Sequence, residues 1–303
     1  MALLELKQVR KTFGHQTILH DVSLRVDKGD IYGLVGRNGA GKTTTLKIIT
    51  DLIQADSGQV LLFSQEKGSQ YNKALKRTSS MIEMPVAFDH LSAKDNLLYY
   101  CKLRGIVNAP KVIQETLDLV GLKDTGRKPY KKFSLGMKQK LGLAIALLSK
   151  PDLVILDEPL NGLDPIAIID LRKLILKLNE ELGITFIISS HILSELFLVA
   201  TKFGIIHDGE VKRTFTKEEF NRMNQEYIVV ESSNTAAITY LLEQKGIHDF
   251  KVVNEEVVNI FTADISIKTI AAWLLSDNLD FDGLYYHRQD LEAYFNDIVH
   301  EKA

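Results

Sequence analysis

Apolar residues first recur at every second position. Leu4 and Leu6, then Val22, Leu24 and Val26, alternate with more polar neighbours, the period of half-buried strands. Residues 31–35 are a short apolar run ending in front of a glycine and read as a strand. The period then lengthens: over 42–53, Leu46, Ile49 and Ile53 fall at i, i+3 and i+7, one face of a helix. From about 83 to 150 the chain reads mostly helical. Periodic segments at 96–103 and 112–120 have Gly105 and Gly121 just past their ends as stops.

Residues 153–156 and 186–188 are continuous apolar runs, expected of strands buried on both faces of a sheet. The helical pattern at 166–178 between them makes a βαβ unit. Residues 204–207 and 210–212 flank Asp208-Gly209 as a tight hairpin. The pattern changes again at about 216–224. Strand 227–231, helix 236–243, a hairpin of 250–253 and 257–261, helix 266–275 and strand 283–287 give the order β-α-β-β-α-β, the split ferredoxin-like arrangement. A last amphipathic helix is expected from Asp290. In this tail Tyr285-Tyr286-His287 and Tyr294-Phe295 read as core, and Lys212-Arg213 with Lys217-Glu218-Glu219 as a solvated linker face.

Composition narrows the class. The 303 residues carry 37 Lys+Arg against 39 Asp+Glu, with 45% apolar and 25% charged residues, the mix of a soluble globular protein long enough for two domains. The charge of −2 leaves no nucleic-acid footprint, so no nucleic-acid partner is expected. The lone Cys101 makes neither an intrachain disulfide nor a multi-cysteine metal site, which suggests a reducing compartment. The N-terminus lacks the apolar stretch of a secretion signal, and no run approaches the ~18 apolar residues that cross a bilayer.

The strongest chemical signal is Gly36-Arg37-Asn38-Gly39-Ala40-Gly41-Lys42-Thr43, which fits G-x-x-x-x-G-K-[ST] between a strand and a helix. Glycines let backbone N–H groups turn inward, and the helix starting there presents its positive end to phosphates. Lys42 would reach the β- and γ-phosphates, Thr43 would ligate Mg²⁺, and Thr44 would donate to a neighbouring phosphate. The strand at 153–156 ends in Asp157-Glu158. Asp157 is a candidate second anchor for Mg²⁺, and Glu158 a candidate general base that polarises water.

With Phe133-Ser134-Leu135-Gly136-Met137-Lys138-Gln139 the sequence resembles an ATP-binding-cassette ATPase, in the SLGMKQ form of the signature usually written LSGGQ. The resemblance covers about residues 1–215. It implies a P-loop NTPase cassette: an α/β RecA-like core with an antiparallel β lobe and a helical lobe at about 83–150, followed by a small α+β domain at 216–303. It further implies that Ser134, Leu135, Gly136, Met137, Lys138 and Gln139 meet the γ-phosphate of ATP held by an opposite cassette. Asp164, in Asn161-Gly162-Leu163-Asp164-Pro165, then lies in the loop passing between cassettes. His191, in Ser189-Ser190-His191, resembles the switch histidine that holds Glu158, and Phe13 the aromatic that stacks on adenine. Where most cassettes carry a Mg²⁺-coupling glutamine, this chain has Glu83, in Ile82-Glu83-Met84-Pro85, which can still accept a water from the metal. Leu160 stands where the family often has Thr, for which a local packing difference is expected.

The Glu-x-Pro segment, the SLGMKQ form and residues 189–195 together resemble the ATP-binding subunits of bacitracin-resistance and lantibiotic-immunity exporters, features that exporters of other peptides, lipids or drugs share, so such a cargo is the alternative. That subgroup implies ATP and Mg²⁺ as cofactors, a second cassette copy, an integral membrane permease as partner, and a peripheral place at the cytoplasmic face of the membrane. Three rivals are weaker. A cassette acting in translation or DNA repair usually has two cassettes or a long coiled coil. A regulatory module would make the tail the working end. A small-molecule kinase gives no reason for a signature loop.

Overall fold

The alternation at the N-terminus folds as two long antiparallel strands, β1 (Ala2–Phe13) and β2 (Gln16–Asp27), with Leu4, Leu6, Val22 and Val26 buried. The structure, a computed structural model, describes residues 2–68, 70–83, 87–223, 227–261, 265–287, 294, 295 and 298. One compact unit runs to Lys217 and a second spans Glu218–Asp297.

In the first unit, β3 (Ile31–Val35) leads into α1 (Lys42–Ile49), followed by β4 (Ser57–Leu62), β5 (Gln65–Glu66), α2 (Tyr71–Leu75) and β6 (Thr78–Met81). Three helices follow, α3 (Ala93–Leu103), α4 (Ala109–Leu119) and α5 (Leu135–Leu147). Then come β7 (Leu153–Asp157), α6 (Pro165–Leu182), β8 (Thr185–Ser190), α7 (Leu193–Phe197), β9 (Lys202–His207) and β10 (Glu210–Thr216). The strands form one sheet in the order β5-β4-β1-β2-β10-β9-β3-β8-β7-β6. Pairing is parallel through β9-β3-β8-β7-β6 and antiparallel among β5, β4, β1 and β2. This is the mixed α/β core with an antiparallel lobe.

The continuous apolar runs are its centre: every residue of β3, β7 and β8 is buried. Fully burying one such aliphatic side chain contributes about 1.5–3 kcal/mol. The loops at the carboxyl ends of these strands therefore start from the best-anchored backbone in the unit. Gly105 and Gly121 sit past the ends of α3 and α4 with φ of 66° and 71°, the left-handed stop that glycine favours.

Helix α1 is shorter than its apolar spacing suggests. It ends at Ile49, the chain turns through Asp51 at φ 61°, and the amides of Leu52 and Ile53 bond back to the Lys47 carbonyl. Ile53 still packs on the core, now from the turn, so its period matched the helix by position and not by conformation. Leu160 is buried.

A strained turn joins β4 to β5. Phe63 (φ 50°) and Ser64 (φ 62°) are both left-handed, as a two-residue hairpin turn requires, yet neither is the favoured Asn or Gly. Phe63 is held by its amide bond to the Leu3 carbonyl (2.7 Å) and by the Arg77 guanidinium 3.9 Å over its ring. A left-handed non-glycine residue costs about 1–2 kcal/mol; the extra unfolded-state freedom of glycine returns ~0.5–1 kcal/mol of that. Ser64→Gly is therefore expected to raise the thermal midpoint by about 1–3 °C, read from a melting curve. A lowered midpoint would show that the Ser64 side chain stabilises the turn.

Helix α8 (Lys217–Met223) leads to β11 (Tyr227–Glu231), α9 (Thr235–Gln244), β12 (Phe250–Asn254), β13 (Val257–Ile260), α10 (Ile267–Ser276) and β14 (Gly283–His287). The order in this antiparallel sheet is β12-β13-β11-β14, so the first and third strands of the unit are neighbours at its centre. Ile228, Val230, Val258 and Ile260 on one sheet face pack with Ile238, Leu242, Ile270 and Leu274 from the two helices.

Tyr285, Tyr286 and His287 are not core, contrary to expectation: β14 is an edge strand, and all three are exposed, each tyrosine at 44%. The tyrosine hydroxyls find polar partners instead, Tyr285 donating to Glu231 Oε1 (2.7 Å) and Tyr286 accepting from the Ile267 amide (3.1 Å). Tyr294 is buried. Met84, Pro85, Asn224 and the start of the helix expected from Asp290 lie outside the described residues.

Candidate active site

The loop between β3 and α1 has little room for side chains. A Cβ on Gly36 would stand 2.4 Å from the Ile206 carbonyl oxygen, and Gly41 adopts φ 106°. No side chain caps α1, so the amides of its first turn keep their unpaired, positive end toward the loop. Lys42 is only 5% exposed. Its ammonium donates to the carbonyls of Gly36 (2.7 Å) and Arg37 (3.2 Å) and lies 3.2 Å from Glu158 Oε1.

The two acids are held differently. Asp157, the last residue of β7, is buried and accepts two bonds, from Thr43 Oγ1 to Oδ2 (2.8 Å) and from Ser189 Oγ to Oδ1 (2.6 Å). Glu158 leaves the strand at φ 48°, in the left-handed region. Its amide donates to Ser189 Oγ (2.9 Å), and its Oε2 is 2.8 Å from His191 Nδ1. Ser190 shapes the turn carrying the histidine, with its Oγ accepting from the Ile192 amide (3.0 Å) and its carbonyl accepting from the Gly36 amide (3.2 Å).

A cavity of about 400 Å³ gathers much of this set, lined by Phe13, Ile18, Asn38, Gly39, Gly41, Lys42, Thr43, Thr44 and Glu158. Phe13 ends β1 and is 49% exposed, with Lys11 Nζ 5.3 Å from its ring centre. An aromatic wall, a basic amide-lined floor and a carboxylate opposite suit a flat heterocycle that carries phosphates. Among the described residues, no three His, Cys, Asp or Glu side chains cluster as a metal site. The bonded oxygens of Thr43 and Asp157 suit a hard divalent cation that takes its remaining ligands from phosphate and water. Gly36, Arg37 and Ala40 shape the loop without lining the cavity.

The remaining expected residues lie outside the cavity lining. Glu83, at φ 68°, gives its carboxylate to Lys47 of α1 (2.6 Å) and is mostly exposed. Ser134 caps α5, accepting from the Met137 amide (3.3 Å). Gly136 has a packing reason of its own, since a Cβ there would sit 2.9 Å from that of Ala167 in α6. Leu135 touches the Gly162 position, Met137 and Lys138 are half-buried, and Gln139 is buried with Oε1 unpartnered. Asp164 caps α6, accepting from the amides of Ile166 (3.1 Å) and Ala167 (3.0 Å).

Two contributors were missed by sequence reasoning. Ile18 lines the cavity from β2. Ser189 bridges both acids, and a signal for it existed: laying the two buried runs side by side in parallel sets Ser189 opposite Asp157, the register observed.

Residues 19–161 match the ABC transporter family. An ABC transporter ATP-binding protein of Bacillus subtilis (strain 168), YcbN, is 39% identical over 95% of this chain and 94% of its own length. The bacitracin transport ATP-binding protein BcrA of Bacillus licheniformis is 36% identical over 98% of this chain and 97% of its own. A solved ATP-binding subunit of an ABC transporter superposes with a TM-score of 0.64 at 30% identity, covering 73% of this chain and 92% of that one. With a cradle, an acid pair and a histidine built as described and relatives aligned along nearly its whole length, the chain belongs to the ABC transporter family as an ATP-binding subunit, an ATPase.

Proposed function

We propose that this ATPase powers an exporter of antimicrobial peptides of the bacitracin or lantibiotic type, with residues 1–215 as the cassette and 216–303 as an accessory domain. One observation carries the reading of how it works: the cavity joins Phe13, the cradle and Glu158, while none of residues 134–139 lines it. A chain with one cradle and one signature segment completes a site only by lending Ser134 to the ATP of a second cassette. The exposed Ser134 at the amino end of α5 is free to do so.

In the completed site Phe13 stacks on the base, and the amides of residues 39–44 with Lys42 hold the phosphates. Thr43 and Asp157 would hold a Mg²⁺ ion, with Glu83 reaching it through water, and the ion would supply charge neutralisation for the phosphates. Glu158 takes a proton from the attacking water, and His191 keeps the Glu158 carboxylate aimed.

The permease partner is a separate membrane protein. Among the described residues no helix is long and apolar enough to cross a membrane. The helical lobe offers it an exposed apolar strip: Phe88 (39% exposed), Tyr99 (44%) and Leu103 (68%), with the first two rings 4.7 Å apart. The resting place of the subunit is then the cytoplasmic face of the membrane. Affinity purification from detergent-solubilised membranes is expected to bring down one integral membrane protein. Leu103→Glu with Tyr99→Glu is expected to lose it while nucleotide binding persists. Recovery of the chain without any membrane protein would overturn the transporter reading. For the cargo, a deletion strain should become sensitive to bacitracin or a lantibiotic; unchanged growth across such a panel would sink that assignment.

A further inference from the structure

Every residue of β8 is buried, yet the strand ends in two serines. A buried hydroxyl costs free energy unless it is bonded, and Ser189, at 0% exposure, is bonded on both sides. Its proton goes to Asp157 Oδ1 (2.6 Å), and its oxygen receives the Glu158 amide (2.9 Å). These bonds straddle the one peptide link at which β7 stops being a strand. Asp157 is still paired in the ladder, opposite Ser189 itself, whereas Glu158 has turned to φ 48°. The left-handed turn is sterically disfavoured for a residue with a side chain such as Glu158. A hydrogen bond to its amide, made by a side chain seated on the neighbouring strand, is available to this conformation and offsets that cost.

The turn matters because of where it sends the side chain. From this backbone the Glu158 carboxylate reaches Lys42 on one oxygen (3.2 Å) and His191 on the other (2.8 Å), and it lines the cavity. An extended residue at 158 would continue the β-strand alternation and carry its side chain elsewhere. The other bond acts on Asp157: with Oδ1 occupied by Ser189, Oδ2 stays turned toward Thr43 (2.8 Å). One hydroxyl thus orients both acids.

We infer that Ser189 is a positioning residue for hydrolysis, which holds the Asp157–Glu158 peptide in the conformation that aims Glu158 at the attacking water; this rests on Glu158 being the base. Ser189 is fully buried and lies outside the cavity lining. Its effect passes through the acids, so its loss slows the chemical step more than it weakens binding.

The experiment uses the full chain in complex with its permease and compares Ser189→Ala, Ser189→Thr, Glu158→Gln and the double variant Ser189→Ala/Glu158→Gln. Ser189→Ala removes both bonds without adding volume. It is expected to lower ATP turnover at least ~10-fold, a typical penalty for misplacing a reacting group. ATP affinity should stay within about twofold, and exchange of the Glu158 amide should speed up relative to the ladder amides of β7. Ser189→Thr keeps the hydroxyl and should recover most of the rate; if its added methyl lowers the melting temperature, the Ala variant and the exchange measurement carry the test. In the Glu158→Gln background, Ser189→Ala should add little further loss, because both changes disable the same group. Turnover of Ser189→Ala within twofold of the parent, unchanged exchange at Glu158, or full additivity in the double variant would each overturn the inference. A Glu158→Gln variant with near-normal turnover would instead fail the base assignment beneath it.

Discussion

Glu158→Gln is expected to retain ATP binding and to lose hydrolysis by about 10²–10⁴-fold, the range in which a positioned general base contributes. The substitution changes charge and proton affinity with almost no change of shape. The amide of residue 158 still donates to Ser189, and the side chain still reaches His191 and Lys42. What it cannot do is accept a proton from water. Lys42 loses a counter-charge 3.2 Å away, but it keeps the carbonyls of Gly36 and Arg37. Bound ATP then supplies negative charge at the same place. The free variant should therefore melt slightly lower than its parent, and the ATP-bound variant should not. Nucleotide binding by equilibrium titration and phosphate release on the same sample separate the two effects. Near-normal phosphate release would remove Glu158 from the mechanism and leave its bond to His191 as mere structure.

Much of this site was legible because its chemistry is local. The cradle is eight consecutive residues in a strand–loop–helix context, and Asp157-Glu158 closes a run whose burial can be read from its lack of alternation. Sheet strands with a clear period, such as β11 and β14, were placed to the residue. Failures arise where a turn or a strand pairing, neither visible in the period, sets a residue's surroundings. Ile53 kept helical spacing although the helix had ended, because a turn through Asp51 sets it on the same core. Tyr285 and Tyr286 were read as core because aromatic residues usually are, but an edge strand leaves one flank open to water. Ser189 looked like a neighbour of the histidine, and only the pairing of β7 with β8 reveals that it serves the acids. Gly136 illustrates the reverse: a residue assigned to a ligand contact also has a packing reason within one chain, against Ala167. A loss of activity in a Gly136 variant would therefore not by itself report on the signature contact.

Lys42→Ala is expected to act on the step that Glu158→Gln spares. An ammonium that is 5% exposed is held in a folded protein only by acceptors around it, here two carbonyls and the Glu158 carboxylate. Those bonds keep the positive charge at the base of the cavity, where phosphates arrive. A hydrogen bond to a charged group contributes about 1.5–3 kcal/mol. Its loss should weaken ATP binding by roughly 10–100-fold, since each 1.4 kcal/mol is about a factor of ten. The change also leaves Glu158 facing incoming phosphate without a cation between them, an added repulsion of the same sign. Lys42→Arg tests whether charge alone suffices. Arginine keeps the charge but presents a planar fork in a space closed by a carbonyl at 2.7 Å, so it should bind poorly as well. Adding Glu158→Gln to Lys42→Ala should then recover part of the affinity by removing the uncompensated carboxylate, a gain that no loss of fold would produce. Unchanged ATP affinity in Lys42→Ala, measured by titration with a fluorescent nucleotide, would contradict the placement of phosphate in this cradle.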